Sequence, residues 1–220
     1  HWPESTASYM PEEKLLFSMD AFGQHYASAG RFDDEEPLDV VMTEARIYAN
    51  ILMLYGKQVG RVLDRASTLP IETIATSHGV IWRKHIPEIV AAYRTWSQHK
   101  ARRRVLVIYD TMWNSTERMA EAVVDGVLGV GADVRMLSIK GSHITEIATE
   151  ALEAACIAVG SPTLNMSIMP QMGAVLTYLE GLRPENKTGF VFGSYGWAKS
   201  GQKTAEDYLK RMKIPLIGES

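Results

Sequence analysis

The stretch that most constrains the fold is residues 105–116, where an apolar run leads into a hydroxyl-rich turn and then a helix. Residues 105–108 read Val-Leu-Val-Ile, the continuous apolar run that a parallel strand covered on both faces requires. Apolar residues then recur at helical spacing, at positions 119, 123, 127 and 130. This order predicts a buried strand whose carboxyl end delivers the chain to the start of a helix.

The turn between that strand and helix has the chemistry of a phosphate site. The first N–H groups of a helix and the positive end of its dipole point into the turn, and Thr111, Ser115 and Thr116 add side-chain donors. The sequence contains neither G-x-G-x-x-G nor G-x-x-x-x-G-K-[ST], so it predicts a single phosphate held without a lysine. A Ser or Thr at a helix start is more often a plain N-cap, so the turn alone is weak support.

The composition is that of an ordinary globular protein and excludes several classes of function. The 220 residues are 46% hydrophobic and 22% charged, with a net charge of −3, so we expect no nucleic-acid or membrane partner. The single cysteine, Cys156, lies in an apolar run and is interpreted as a buried structural thiol. It excludes an internal disulfide and a multi-cysteine metal site. No run of ~20 apolar residues and no signal peptide is visible, which predicts a cytoplasmic protein.

From residue 105 onward strands and helices alternate, which predicts an open parallel sheet with helices on both faces. Five strands are expected, at residues 105–108, 133–139, 155–160, 188–193 and 214–217. Ligands of such sheets bind outside the carboxyl ends of the strands. Three loops arrive there, at residues 111–116, 161–165 and 194–197, and Trp113, Tyr195 and Trp197 are candidates to flank a flat heteroaromatic ring.

The first hundred residues have a different pattern. Residues 14–20 predict a short strand ending at Asp20, residues 38–65 one long amphipathic helix that Gly56 could interrupt, residues 71–76 a strand and residues 84–99 a helix. The acidic residues 33–36 are expected to form a solvated loop. The polar, basic segment 97–104 is interpreted as an interdomain linker; it is too short and too poor in aromatic residues to favour nucleic-acid binding.

His1, Asp20 and His78 each lie at or near the end of a strand or in a turn. Two imidazoles and a carboxylate are competent ligands for zinc or non-haem iron, and a carboxylate can bridge two metals. On spacing alone the simpler interpretation is favoured, in which Asp20 is a turn residue and His78 closes a strand. The separations of 19 and 58 residues match no short metal motif.

Six segments together resemble flavodiiron proteins (A-type flavoproteins), in which a metallo-β-lactamase-like diiron domain is fused to a flavodoxin-like FMN domain. The resemblance covers essentially the whole chain and the order of the segments is specific. The segments are 1–5 (HWPES), 18–25 (SMDAFGQH), 77–83 (SHGVIWR), 111–116 (TMWNST), 161–165 (SPTLN) and 194–197 (SYGW).

The resemblance implies the C-terminal part of a metallo-β-lactamase-like αββα domain over residues 1–101, followed by a flavodoxin-like doubly wound parallel sheet over 102–220. It implies that His1 and His78 are histidine ligands of the two irons, that Asp20 bridges them, and that these three are the catalytic residues. It also implies that three loops hold FMN, the first at the phosphate and the others around the isoalloxazine. The implied FMN residues are Thr111, Met112, Trp113, Asn114, Ser115, Thr116, Ser161, Pro162, Thr163, Leu164, Asn165, Ser194, Tyr195, Gly196 and Trp197.

The implied activity is reduction of O2 to water or of NO to N2O. Electrons would pass from rubredoxin or another reduced donor through FMN to the diiron centre, in a head-to-tail homodimer. Two alternatives stay open: an FMN-dependent electron-transfer module without a functional metal site, and a zinc hydrolase of the metallo-β-lactamase type. The family's His-x-Glu-x-Asp-His ligand motif lies upstream of the stretch that corresponds to His1 and is missing here. We therefore expect a piece of a longer protein, with no stable diiron centre of its own.

Overall fold

The computed structural model of the chain describes residues 6–218 and divides after Gln98 into two compact units. Each unit has its own sheet. No helix in residues 6–218 is long and apolar enough to cross a lipid bilayer.

The first unit contains a small mixed sheet. Its strands are β1 (Ser8–Met10), β2 (Leu15–Met19) and β3 (Thr73–Thr76), in that spatial order. β1 pairs antiparallel with β2, and β2 pairs parallel with β3. Burial alternates along β2, with Leu16 and Ser18 buried and their neighbours Phe17 and Met19 exposed, which is the period-two pattern of a sheet with one covered face. The strand ends directly before Asp20, as predicted.

The helical part of the first unit differs from the sequence prediction. Instead of one helix over residues 38–65, the chain forms two helices with a 3-10 segment between them. The break comes before Gly56: the side chain of Asn50 donates a hydrogen bond to the Ile47 carbonyl, and such side-chain bonds to the backbone compete with regular helix. The elements are α1 (Leu38–Ala49), the 3-10 segment (Asn50–Tyr55), α2 (Gly56–Ala66) and, later, α3 (Ile86–Ser97).

The acidic segment 33–36 is not simply a solvated loop, because Asp33 is fully buried. Asp33 Oδ1 accepts from the N–H groups of Arg83 (2.8 Å) and Lys84 (3.2 Å), and its Oδ2 accepts from His85 N–H (2.7 Å). Charge-assisted bonds of this kind are the strong ones. One carboxylate therefore fixes the chain just before α3.

The second unit is built on a four-stranded parallel sheet. Its strands are β4 (Arg102–Tyr109), β5 (Asp133–Ser138), β6 (Ala154–Gly160) and β7 (Thr188–Phe192), in the spatial order β5-β4-β6-β7. The predicted fifth strand is reduced to one parallel bridge between Gly189 and Leu216. Since β4 begins at Arg102 and α3 ends at Ser97, the linker predicted for 97–104 is confined to residues 98–101.

Four helices connect and follow these strands: α4 (Ser115–Gly129), α5 (Ile144–Glu153), α6 (Pro170–Leu182) and α7 (Ser200–Arg211). The inward face of α4 differs from the prediction. Thr116 and Ala120 are buried, whereas Met119 and Val130 are exposed. From β4 the chain continues to β5 at one edge of the sheet, and from β6 it continues to β7 at the other edge. The switch point therefore lies between the carboxyl ends of β4 and β6.

The amino edge of this sheet holds buried charge. Lys187 is 4% exposed and donates from Nζ to the Leu152 carbonyl at 2.9 Å. Glu153 is 1% exposed, and its carboxylate lies 3.0 Å from the guanidinium of Arg102. Buried charges require such partners, because leaving water is costly for an ion.

Candidate functional site

Three loops meet at the carboxyl edge of the parallel sheet, and main-chain hydrogen bonds join them. The loops follow β4, β6 and β7. The joining bonds run from Asp110 N–H to Gly160 O (2.9 Å), from Ser161 N–H to Phe192 O (3.1 Å) and from Thr163 N–H to Ser194 O (2.8 Å). The three segments predicted to form one site are therefore assembled by their backbones.

Gly193 allows the second and third loops to come this close. A Cβ atom at this position would lie 1.9 Å from the carbonyl oxygen of Ser161, closer than any real contact. The Gln202 side chain then donates to the Gly193 carbonyl at 2.7 Å, which fixes the start of the third loop against α7. Here glycine is needed for close backbone approach.

The first loop has the features that an anion site requires. α4 begins at Ser115, and its N-cap residue, Asn114, is left-handed (φ 63°) and makes no side-chain capping bond. The hydroxyl oxygen of Thr111 is buried and has no hydrogen-bond partner among the described residues. The hydroxyl of Thr116 lies 3.4 Å from that of Ser194. A helix N-terminus beside an unsatisfied donor is suited to a phosphate.

The rings that the sequence placed near this edge are exposed. Trp197 is 100% exposed, Trp113 87% and Tyr195 48%. Asn165 and Met166 both have positive φ (48° and 62°) and form the tip of the second loop. Exposed aromatic rings close in sequence to a polar turn are suited to a ligand that has both a flat heteroaromatic ring and a phosphate.

Sequence reasoning missed Lys140 and Asp110 at this site. Asp110 is 1% exposed and directly precedes Thr111. Lys140, from the loop after β5, donates to the Thr111 carbonyl at 2.7 Å. The parallel register, which sets Tyr109 opposite Ser138, brings these loops together, and a prediction that β5 neighbours β4 would have located the lysine.

The first unit holds two of the three predicted metal ligands side by side. Asp20 Oδ1 lies 3.4 Å from His78 Nε2. The Tyr48 side chain hydrogen-bonds the Asp20 carboxylate; burial and this neighbouring carboxylate raise the pKa of Tyr48 to about 12. The His25 ring packs against the rings of Tyr48 (4.8 Å between centroids) and His78 (6.2 Å).

A buried glutamine connects the two segments that carry these ligands. Gln24 Nε2 donates to the Phe22 carbonyl at 2.6 Å, and its Oε1 accepts from Val80 N–H at 2.7 Å. Gly79 has φ +79°, and a Cβ there would lie 2.0 Å from Gln24 Oε1. The turn after Asp20 and the loop after His78 are therefore held together by packing as well as by charge.

The described residues do not by themselves make an iron site. His1 lies outside them, and within 6–218 no group of three or more His, Cys, Asp or Glu side chains is placed to hold a metal. Two ligands are too few for iron or zinc.

Four parallel strands in the order β5-β4-β6-β7, with three loops at the switch point, define a flavodoxin-like α/β domain. Residues 107–219 match the family model described as "Flavodoxin". The chain therefore belongs to the flavodoxin family. Flavodoxin domains bind FMN, and the open turn, the unsatisfied Thr111 hydroxyl and the exposed rings fit that group.

The likeness to flavodiiron proteins extends beyond this domain and confirms the resemblance read from the sequence. The chain is 45% identical, over 100% of its length, to a protein of Moorella thermoacetica named "Nitric oxide reductase". It is 36% identical, over 98% of its length, to "Rubredoxin-oxygen oxidoreductase" of Megalodesulfovibrio gigas. It spans 56% and 55% of these relatives, so about half the length of each.

Solved structures agree with the fold class predicted from the sequence. The rubredoxin oxygen:oxidoreductase from Desulfovibrio gigas superimposes with a TM-score of 0.96 at 33% identity, over 99% of this chain and 56% of that one. The flavodiiron protein from Giardia intestinalis gives 0.93 at 35% identity, over 100% and 57%.

Proposed function

We propose that the carboxyl edge of the parallel sheet binds FMN. The phosphate occupies the turn 111–116, and the loops 161–165 and 194–197 flank the isoalloxazine. The observation that carries the proposal is the set of three loops joined by main-chain bonds. The first of these loops contains a buried Thr111 hydroxyl without a partner among residues 6–218 and leads into an N-terminus of α4 that its N-cap side chain does not cap. Membership of the flavodoxin family supports the same ligand. FMN, when bound, supplies one- and two-electron transfer.

In this proposal the chain's own residues position the flavin and control its access to water. The first helical N–H groups of α4 and the Thr111 hydroxyl would donate hydrogen bonds to the phosphate oxygens. The rings of Trp113, Tyr195 and Trp197 cover the flat faces of the flavin and exclude solvent from them. The backbone bonds between the loops fix these groups before the ligand arrives, which lowers the cost of binding.

For the complete protein we propose reduction of NO or O2 with electrons from a rubredoxin-type donor. The names of the relatives, a nitric oxide reductase and a rubredoxin-oxygen oxidoreductase, support both substrates and the donor. Asp20 and His78, already adjacent in the first unit, would contribute to a diiron centre with His1 and ligands that this chain lacks. A head-to-tail homodimer belongs to the same proposal.

Flavin binding is tested on the chain as it stands. Titration with FMN is expected to quench tryptophan emission, because Trp113 and Trp197 lie at the site, and to saturate at one FMN per chain. Saturation without any change in the emission of these tryptophans, or no binding at all, would contradict the proposed site.

The metal role is tested on the complete protein. We expect about two irons per chain, and we expect Asp20→Ala to abolish NO and O2 reduction while FMN stays bound. Asp125→Ala, which removes a carboxylate from the exposed face of α4, is the matched control and should keep activity. Full turnover in Asp20→Ala would refute the ligand role. Zinc instead of iron would favour a hydrolase, and absence of metal would favour an electron-transfer module.

A further inference from the structure

A buried carboxylate, that of Asp110, directly precedes the turn proposed to bind the phosphate. Asp110 is 1% exposed; its Oδ1 accepts from Thr111 N–H at 2.8 Å, and its Oδ2 has no hydrogen-bond partner among the described residues. Two anions brought close together in a partly dry site repel each other. Asp110 therefore opposes the binding of a phosphate at Thr111 unless a cation offsets its charge.

Lys140 is placed to provide that cation. Its Nζ lies 4.0 Å from Asp110 Oδ1 and donates to the Thr111 carbonyl at 2.7 Å. The position is set by the fold, because Ile139 N–H bonds the Tyr109 carbonyl at 2.9 Å and so continues the β4–β5 pairing up to the turn. Lys140 thus contacts both the buried carboxylate and the backbone of the phosphate turn.

We propose that Lys140 is a specificity-determining residue that gives this site its preference for a phosphorylated flavin over riboflavin. Its ammonium group offsets the Asp110 carboxylate, so that the phosphate dianion meets the helix N-terminus without net repulsion. The inference rests on the proposed FMN site. Asp110 and Lys140 both lie outside the residues proposed to touch the ligand.

The size of the effect follows from the exposure of the lysine. The Lys140 side chain is 56% exposed, so water and salt screen its charge, and a moderate effect is expected. Removing the charge should weaken FMN binding about 2- to 5-fold, which is the upper part of the range for an exposed ion pair. Riboflavin has no phosphate, and its affinity should change by less than about twofold.

The test compares FMN and riboflavin titrations of the wild-type chain with those of Lys140→Met, Lys140→Arg and the control Lys57→Met. Lys57 is an exposed lysine of α2 in the other unit. The ratio of FMN to riboflavin affinity should be about 2- to 5-fold lower in Lys140→Met than in wild type at low salt. The two proteins should differ little near 1 M salt, where the Debye length is about 3 Å. Lys140→Arg and Lys57→Met should retain the wild-type ratio.

A double variant separates charge from loop structure. In Asp110→Asn/Lys140→Met the buried negative charge is gone while an oxygen remains to accept from Thr111 N–H, so FMN affinity should recover towards the wild-type value. Equal losses for FMN and riboflavin in Lys140→Met, or a loss that salt does not reduce, would overturn the inference in favour of a purely structural bond to Thr111. Failure of the wild-type chain to bind FMN would instead overturn the proposed function.

Discussion

Replacing Lys187 with methionine is expected to change how the free energy of unfolding depends on pH. Lys187 is buried at the amino edge of the parallel sheet, and its Nζ donates to the Leu152 carbonyl. Burial lowers the pKa of this ammonium group from 10.5 to about 8, although the Glu153 carboxylate partly opposes the change. The native state therefore releases the proton more readily than the unfolded chain does.

The sign and size of the change in the free energy of unfolding follow from the linkage between proton binding and folding. Below pH 8 the lysine is charged in both states, and the folded chain carries the full cost of burying the charge, roughly 3 kcal/mol from the difference between 10.5 and about 8. Between pH 8 and 10.5 the unfolded chain binds more protons, so this cost is relieved as pH rises. Wild type should gain about 2–3 kcal/mol relative to Lys187→Met between pH 7 and 10.

Urea unfolding followed by circular dichroism at pH 7, 8.5 and 10 measures the difference between the two proteins. Contributions from the first unit and from other titrating groups cancel in this comparison. With a slope of about 2 kcal/mol per molar urea, the wild-type midpoint should rise by about 1 M relative to the variant. The exposed Lys57→Met variant should show no such trend. A difference between wild type and Lys187→Met that stays constant with pH would refute the idea of a desolvated ammonium group.

Two further substitutions test how the loops are held. Gly193→Ala should lower FMN affinity more than tenfold and cost about 2–4 kcal/mol of stability, because its Cβ would overlap the Ser161 carbonyl. Gly196→Ala, in the same loop with open space around it, is the matched control, and equal effects of the two in flavin titration and thermal melts would contradict this reasoning. Asp33→Ala should lower the free energy of unfolding, measured in urea, by about 3 kcal/mol, because three backbone N–H groups lose the carboxylate that they bond. Asp33→Asn should lower it less, because the amide keeps Oδ1. A larger loss in Asp33→Asn than in Asp33→Ala would be inconsistent with the observed bonds.

The parallel sheet could be predicted because its strands are buried on both faces. Residues 105–108 and 155–160 are continuous apolar runs, and this property is local to the sequence. The site at the carboxyl edge then follows from topology, since parallel strands bring their loops to one edge. Trp113 and Trp197, which two of these loops carry, are exposed.

Features that depend on single side-chain contacts could not be predicted. Asn50 ends the regular helix by bonding Ile47, whereas the apolar spacing continues unchanged through this point. Asp33 is buried within an acidic run because three N–H groups from residues 83–85 surround it, about fifty positions away. Such long-range satisfaction of a buried charge leaves no local pattern in the sequence.

The main-chain hydrogen bonds that join the three loops involve no side-chain atoms, so side-chain substitutions over evolution need not disturb them. N–H and C=O groups are present whatever side chain a residue carries, so substitutions at positions 113, 195 and 197 leave the frame in place. Gly193, where two backbones touch, does not share this freedom. Selection can exchange the rings around a bound cofactor, and so adjust its reduction potential, while the fold stays fixed.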